Sequence, residues 1–229
     1  WLPEAGVSPK GIVDSIVSDM ARYVLGESAF NTQRMAARLT NNINRNEIAK
    51  GLLDSACWEL KARIAGRSVA DMLGGAQVDR LPLCALIPLL DDLDTTVGLV
   101  RHWQERGSKT FRIKLGRGAV EDARIMKAVR GTVGPHAKLR VDYNQAYDPF
   151  EAVEAINAII PYGLQLVEQP TKAGVPTAMA TVQSRVSVPI MAHEGCFSLG
   201  ELFELHAWGG SGAIGINGER PGGLTAATR

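Results

Sequence analysis

Apolar residues recur at two different periods along this chain, and the change of period divides it. Up to about residue 75 the spacing is helical. In GIVDSIVSDMARYVLG, Ile12, Ile16, Met20 and Val24 share one face, Val13 and Val17 lie beside it, and Gly26 is a stop signal. NEIAKGLLDSACWELKARIAG predicts a longer helix, capped by Asn46 and ended by Gly66, with Ile48, Leu52, Ala56, Leu60 and Ile64 as its apolar stripe. A short helix, SVADML, then meets Gly74 and Gly75.

After that, short β-rich runs begin near Leu81 (LPLCALI), Phe111 (FRIKL), Lys138 (KLRVD), Gly163 (GLQLVE), Val188 (VPIMAH) and Gly212 (GAIGIN). They recur about every 24 to 30 residues, and amphipathic helices are predicted between them over Thr96–Arg106, Val120–Val133, Phe150–Ile159, Pro176–Gln183 and Leu199–Trp208. Strand alternating with helix at this period means repeated βα units and a parallel sheet, closed as a barrel or left open and doubly wound.

The polar residues decide between these forms. Lys114, Asp142 with Asn144, Glu168, His193 with Glu194, and Asn217 all fall at the C-terminal ends of successive strands. A barrel gathers such ends around one axis, whereas an open sheet uses mainly its switch point. No GxGxxG or Walker-type loop follows the first strand. The expected architecture is therefore α/β: a helical part over residues 1–77, then a (β/α) barrel of about six units over 78–229. Since closure takes eight, the sequence reads as part of a longer protein.

Composition narrows the partners. Hydrophobic residues make up 45% and charged residues 21%, as in a globular protein with a sizeable core. Lys and Arg number 25 against 24 Asp and Glu, without a block of one sign, so neither a nucleic-acid face nor a polybasic membrane patch is expected. Apolar runs fall short of a bilayer span. Cys57, Cys84 and Cys196 form no CxxC spacing, which makes a disulfide scaffold or structural zinc unexpected and a reducing cytoplasm the default setting.

Two carboxylates, Asp142 and Glu168, projected into one cavity repel unless a cation lies between them, and oxygen ligation suits a hard divalent ion such as magnesium. The alternative for either acid is a helix cap or an arginine partner. TFRIKLG alternates Phe111, Ile113 and Leu115 with Arg112 and Lys114. Inside a barrel, beside Arg112 and a metal, the Lys114 amine can serve as a general base. The alternative is a surface lysine, or one paired with Asp142.

FRIKLG, VDYNQAY, LVEQP, PIMAHEGCFS and ERPGGLT, in this order and spacing, resemble the motifs of the mandelate racemase and muconate lactonizing enzyme family of the enolase superfamily, nearest its muconate cycloisomerase-like members. The segment AKGLLDSACWELKARIAGRSVADMLGG resembles the family's helix leading into the barrel. The resemblance implies a modified TIM barrel preceded by part of an α+β capping domain. Relative to the family, the chain would lack the opening strands of the cap, the last two barrel units and a return segment. It further implies abstraction of the proton α to a substrate carboxylate through an enediolate stabilised by Mg2+, with Mn2+ as the substitute ion.

Matched position by position, the resemblance makes Lys114 the base, with Arg112 where the family often has another lysine. Asp142 and Glu168 match the first two metal ligands, and Asn144 a position near metal or substrate. The chain departs from the pattern twice. AHEG puts His193 where the third acidic ligand is usual, so either that imidazole, softening the site toward manganese, zinc or iron, or Glu194, after a local bulge, completes the set. Asn217 stands where relatives carry a lysine or aspartate; it can hydrogen-bond substrate but not act as a base. Arg220 either binds a substrate carboxylate or pairs with Glu219.

The leading expectation is one-base chemistry, cycloisomerisation or β-elimination of a small carboxylic acid, by a homo-oligomer. The alternatives are a racemase or epimerase whose second base lies outside this sequence, and a silent relative that keeps only the fold.

Overall fold

The protein is described by a computed structural model that covers residues 7–228. It divides into two compact units. One comprises the residues up to Arg80 together with those from Ile216, and the other is Leu81–Gly215.

The first unit is helical. α1 (Pro9–Asp14) starts on Ser8, whose hydroxyl accepts from the Gly11 N–H at 3.1 Å, and runs through a π-helical turn, Ser15–Met20, into α2 (Ala21–Val24). α3 (Thr32–Asn42), α4 (Glu47–Ile64) and α5 (Val69–Met72) follow. Met20, Leu39 and Ala49 form a small core with Ile12, Ile16 and Val24 against it, as the first helical stripe predicts. Gly66, at φ 63°, ends α4, and the Arg67 N–H reaches back to the Ala62 carbonyl at 2.9 Å. Asn46 does not cap with its side chain; it is itself left-handed, at φ 62°.

The face of α4 departs from its periodicity. Leu52, Leu60 and Ile64 are exposed, while Ala49, Asp54, Trp58, Lys61 and Ala62 are buried. The buried polar groups are satisfied by a short helix, Leu224–Ala227: Trp58 Nε1 donates to Thr225 Oγ1 at 2.8 Å, and Asp54 Oδ2 accepts from the Thr225 N–H at 2.9 Å. The Lys61 ammonium lies 2.9 Å above the centre of the Trp58 ring. Partners so distant in sequence leave no trace in the local hydrophobic pattern.

The second unit alternates strand and helix: β1 (Ala85–Ile87), α6 (Leu93–Glu105), β2 (Thr110–Lys114), α7 (Ala119–Val133), β3 (Lys138–Asp142), α8 (Pro149–Ile159), β4 (Leu164–Glu168), α9 (Pro176–Gln183), β5 (Ile190–Ala192), α10 (Leu199–Trp208) and β6 (Ala213–Ile214). All strand pairs are parallel, and each strand neighbours the next in sequence. A doubly wound sheet reverses its order at a switch point; an unbroken order is the progression of a (β/α) barrel. LPLCALI is shorter as a strand than its pattern predicts, for Leu81 and Leu83 are exposed ahead of β1. GAIGIN likewise forms strand only at Ala213–Ile214, so Asn217 lies beyond β6.

Alternation sorts the two sheet faces. Phe111, Ile113, Leu139, Val141, Val167 and Ile190 are fully buried against Val100, Met126, Val129, Ile156, Met179 and Val182 of the surrounding helices. Each such side chain contributes about 1.5–3 kcal/mol on burial. The other face of β2 carries Arg112 and Lys114, so the charged residues of TFRIKLG point inward.

Candidate active site

Parallel register brings three strand ends level. Lys114 pairs with Asp142, and Asp142 with Glu168, across β2, β3 and β4. Asp142 is fully buried and Glu168 nearly so. Arg112, one inward position earlier on β2, bridges them: its Nη2 is 2.6 Å from Asp142 Oδ2 and 2.5 Å from Glu168 Oε1, and its Nε is 2.7 Å from Glu168 Oε2. One nitrogen reaching both acids shows that the two carboxylates share a cation-sized space.

The chain turns sharply past these strands. Asn144, at φ 43°, adopts the left-handed region that asparagine tolerates better than most residues. Its backbone N–H donates to Asp142 Oδ1 at 3.0 Å and its Nδ2 to Glu194 Oε1 at 2.8 Å, while its Oδ1 accepts from the Lys114 amine. Lys114 Nζ also lies 3.5 Å from Asp142 Oδ2. Asn144 therefore joins an amine on β2 to an acid beyond β5.

Beyond β5 the peptide is no longer a strand, so alternation does not send Glu194 outward. Gln169 shapes this loop. Its Oε1 accepts from the His193 and Gly195 N–H groups, each at 2.9 Å, and its Nε2 donates to the Thr171 carbonyl at 2.9 Å. Glu194 is buried, and His193 Nδ1 lies 2.9 Å from Glu168 Oε1 and 3.4 Å from Glu194 Oε2. One potential ligand atom from each of Glu168, His193 and Glu194 lies within 4.8 Å of the other two. Glu194 Oε2 is buried and faces His193 Nδ1 at 3.4 Å, and no well-aligned hydrogen bond reaches it among the described residues. Such an orphaned acceptor beside an imidazole and a second carboxylate fits a divalent cation. This is a candidate metal site.

Charge coupling is strong here. Burial works against the Arg112 cation, but hydrogen bonding to Glu168 and the charges of the acids outweigh it and raise its pKa. Burial, then the charge of Glu168, push Asp142 up against the pull of Arg112 and Lys114. Burial would raise Glu168 too, yet hydrogen bonds from His193 and Arg112 hold it below the usual range. Glu194 follows the same pattern, with burial overcome by His193 and Asn144.

Two supports went unread in the sequence. Gln169 sits within LVEQP but draws no attention beside Glu168. Buried Asp122, in the first turn of α7, accepts from the Gly116 and Arg117 N–H groups at 3.1 Å and from the Tyr147 hydroxyl at 2.6 Å, and that hydroxyl accepts from the Gly118 N–H at 2.6 Å. Together Asp122 and Tyr147 pin the loop that follows Lys114. Of the residues singled out from sequence, Arg112, Lys114, Asp142, Asn144, Glu168, His193 and Glu194 come together. Asn217 and Arg220 belong to the helical unit, where the buried Arg220 donates its backbone N–H to the Asn217 carbonyl at 3.1 Å.

Among known proteins, a family profile described as "Enolase C-terminal domain-like" matches residues 96–229, and one described as "Mandelate racemase / muconate lactonizing enzyme, N-terminal domain" matches residues 3–74. The chain is 31% identical over 206 residues to a hydrophobic dipeptide epimerase of Enterococcus faecalis, an overlap of 90% of this chain and 58% of the relative. It is 32% identical over 209 residues to a chloromuconate cycloisomerase of Cupriavidus pinatubonensis, with 90% of this chain and 55% of the relative covered. The crystal structure of the Enterococcus faecalis dipeptide epimerase complexed with Mg and the dipeptide L-Leu-L-Tyr matches with a TM-score of 0.89 at 29% identity, over 98% of this chain and 62% of that one. The chain thus spans less than two thirds of the length of each relative.

Proposed function

The chain belongs to the mandelate racemase and muconate lactonizing enzyme family of the enolase superfamily, and from that premise we propose that it isomerises a small carboxylate by removing the proton α to the carboxyl group. The observation that carries this reading is the convergence of the Lys114 amine with buried Asp142, Glu168 and Glu194 at one mouth of the parallel sheet.

Lys114 Nζ takes the α-proton, and the side-chain Oδ1 of Asn144 orients the amine. Residues drawn from Asp142, Glu168, His193 and Glu194 would hold a divalent cation, which when bound would supply Lewis-acid stabilisation of the negative charge on the substrate carboxylate. Arg112 bridges the Asp142 and Glu168 carboxylates and adds a fixed positive charge to the site. Asn144 is the proposed substrate contact at this mouth.

With a single base, cycloisomerisation or β-elimination is the first reading. Epimerisation is the second, favoured by likeness to an epimerase solved with a dipeptide. The reducing cytoplasm and a homo-oligomeric state are part of the same proposal. Among the described residues no helix is long and apolar enough to cross a membrane.

The test is proton NMR in deuterated water with hydrophobic dipeptides and with muconolactone. Loss of the α-hydrogen signal in the parent and its persistence in Lys114→Ala is the expected result. Equal exchange in both would remove Lys114 as the base. Exchange with inversion of configuration would select epimerisation.

A further inference from the structure

Asp122 is fully buried, and hydrogen bonds hold its carboxylate: Oδ1 accepts from the Gly116 and Arg117 N–H groups, each at 3.1 Å, and Oδ2 from the Tyr147 hydroxyl at 2.6 Å. The phenol oxygen has a second neighbour, the Gly118 N–H at 2.6 Å, which can only donate. The single phenol proton therefore goes to Asp122, and the link has one hydrogen-bonding arrangement.

Tyr147 also ties the neighbouring loops together. Its N–H donates to the Pro170 carbonyl at 3.1 Å, in the chain beyond β4, and its ring lies edge-on to buried Tyr143 with centroids 5.0 Å apart. One residue thus connects the segments that follow Lys114, Asp142 and Glu168. The first two of these segments also touch directly: Gly116, at φ 132°, packs so closely that a Cβ there would lie 2.8 Å from Ala146 Cβ. The contact between the Lys114 amine and Asn144 Oδ1 spans the same two segments.

We propose that Asp122 and Tyr147 are positioning residues for the Lys114 amine, which they keep in register with Asn144 through the loop after β2. The proposal rests on the functional reading above in taking Lys114 as the base. The hold is stiff for a physical reason. Opening the loop strips donors from a buried carboxylate, and an unsatisfied charged group costs more than a neutral one.

Tyr147→Phe removes the hydroxyl and keeps the ring; Asp122→Asn is the second variant, since its amide would offer the phenol a donor in place of an acceptor. Arg130→Lys is the control for simple loss of stability. Arg130 donates to the Gly134, Ala137, Tyr162 and Gly163 carbonyls at 2.7–2.9 Å, ahead of β3 and β4 and so at the opposite end of the sheet. Urea melts of the full chain identify the variants that fold.

The first measurement is α-hydrogen exchange in deuterated water with MgCl2 added. Tyr147→Phe and Asp122→Asn should lower kcat by about tenfold or more with KM changed by less than about threefold, while Arg130→Lys keeps the parental kcat. The second needs no substrate: an amine-acylating reagent is applied, and peptide mass spectrometry compares Lys114 with exposed Lys127. A loosened loop should raise the Lys114-to-Lys127 labelling ratio by about twofold or more in Tyr147→Phe and Asp122→Asn, and not in Arg130→Lys. Parental kcat or a parental labelling ratio in folded Tyr147→Phe overturns the proposal, as does an equal loss of kcat in Arg130→Lys. If the parent exchanges no α-hydrogen on any substrate, or if Lys114→Ala exchanges as fast as the parent, the functional reading falls. The labelling ratio then decides alone: raised, it leaves Asp122 and Tyr147 as the residues that place Lys114; unchanged, it removes them.

Discussion

Arg112 grips Glu168 with two nitrogens, Nε at 2.7 Å from Oε2 and Nη2 at 2.5 Å from Oε1, and the second of these also holds Asp142. A lysine at this position would offer one point charge in place of this planar fork. Arg112 is thus the group whose positive charge lets two buried acids coexist.

Removing that group should be costly. In Arg112→Ala, Asp142 and Glu168 lose the cation that bridges them, and loss of one partner from a largely buried ionic cluster costs about 3 kcal/mol. Urea denaturation without metal should show the loss. Manganese or cobalt should restore part of it, because a bound ion replaces the missing charge. An Arg112→Ala protein as stable as the parent in chelator would show that the bridge is incidental.

Gln169→Ala tests the loop beyond β5. The substitution strips the acceptor from the His193 and Gly195 N–H groups and leaves the Thr171 carbonyl without its donor. Orphaned buried groups cost about 1–3 kcal/mol each, so a total of about 3 kcal/mol is expected once the loop relaxes partway toward water. Metal affinity should fall with it, since the backbone that aims His193 and Glu194 is no longer held. Calorimetric titration of the variant, compared with its stability, separates these effects.

Much of this arrangement was legible in the pattern of residues. Period-two alternation placed Arg112 and Lys114 on one face, and the run of polar strand ends predicted that Asp142 and Glu168 would meet. What stayed hidden is what comes from irregular backbone or from distant partners. Asn144 and Glu194 enter the site through bends past the strand ends, where alternation no longer applies. Gln169 matters because its side chain reaches a loop some two dozen residues on, a link that no local spacing encodes. Asp122 and Tyr147 likewise join two different βα units.

Acid should loosen helix caps in both units. Hydrogen bonds from Ser68 hold Asp71 below its ordinary pKa, and the Thr95 hydroxyl and N–H do the same for Asp92. A folded pKa below the unfolded value means that the unfolded chain takes up its proton first as pH falls. The stabilisation is therefore complete above the ordinary aspartate range, near pH 4, and disappears as pH drops through the lowered folded values. Asp142, raised by burial and by Glu168, acts with the opposite sign and offsets part of the loss. Denaturation midpoints followed from pH 7 to pH 3 should decline below about pH 4, and Asp92→Ala should flatten that decline.

The sharpest test of the helical unit sets the two faces of α4 against each other. Its apolar stripe would make Leu60 and Ile64 core residues, yet both are exposed, and the buried side is carried by Trp58, Asp54 and Gly51. Leu60→Ser should then shift stability by no more than about 0.5 kcal/mol, as for an ordinary surface change. Trp58→Ala should cost about 3–5 kcal/mol, since it opens a cavity and strands the Thr225 hydroxyl. Gly51→Ala is the discriminating variant. Alanine in a helix interior normally gains about 1 kcal/mol over glycine, but a Cβ at this position would lie 2.6 Å from the Glu219 carbonyl oxygen, a backbone atom that cannot swing aside. Thermal or urea melts should therefore show Gly51→Ala destabilised; a stabilised variant would mean that the segment around Glu219 does not pack on α4.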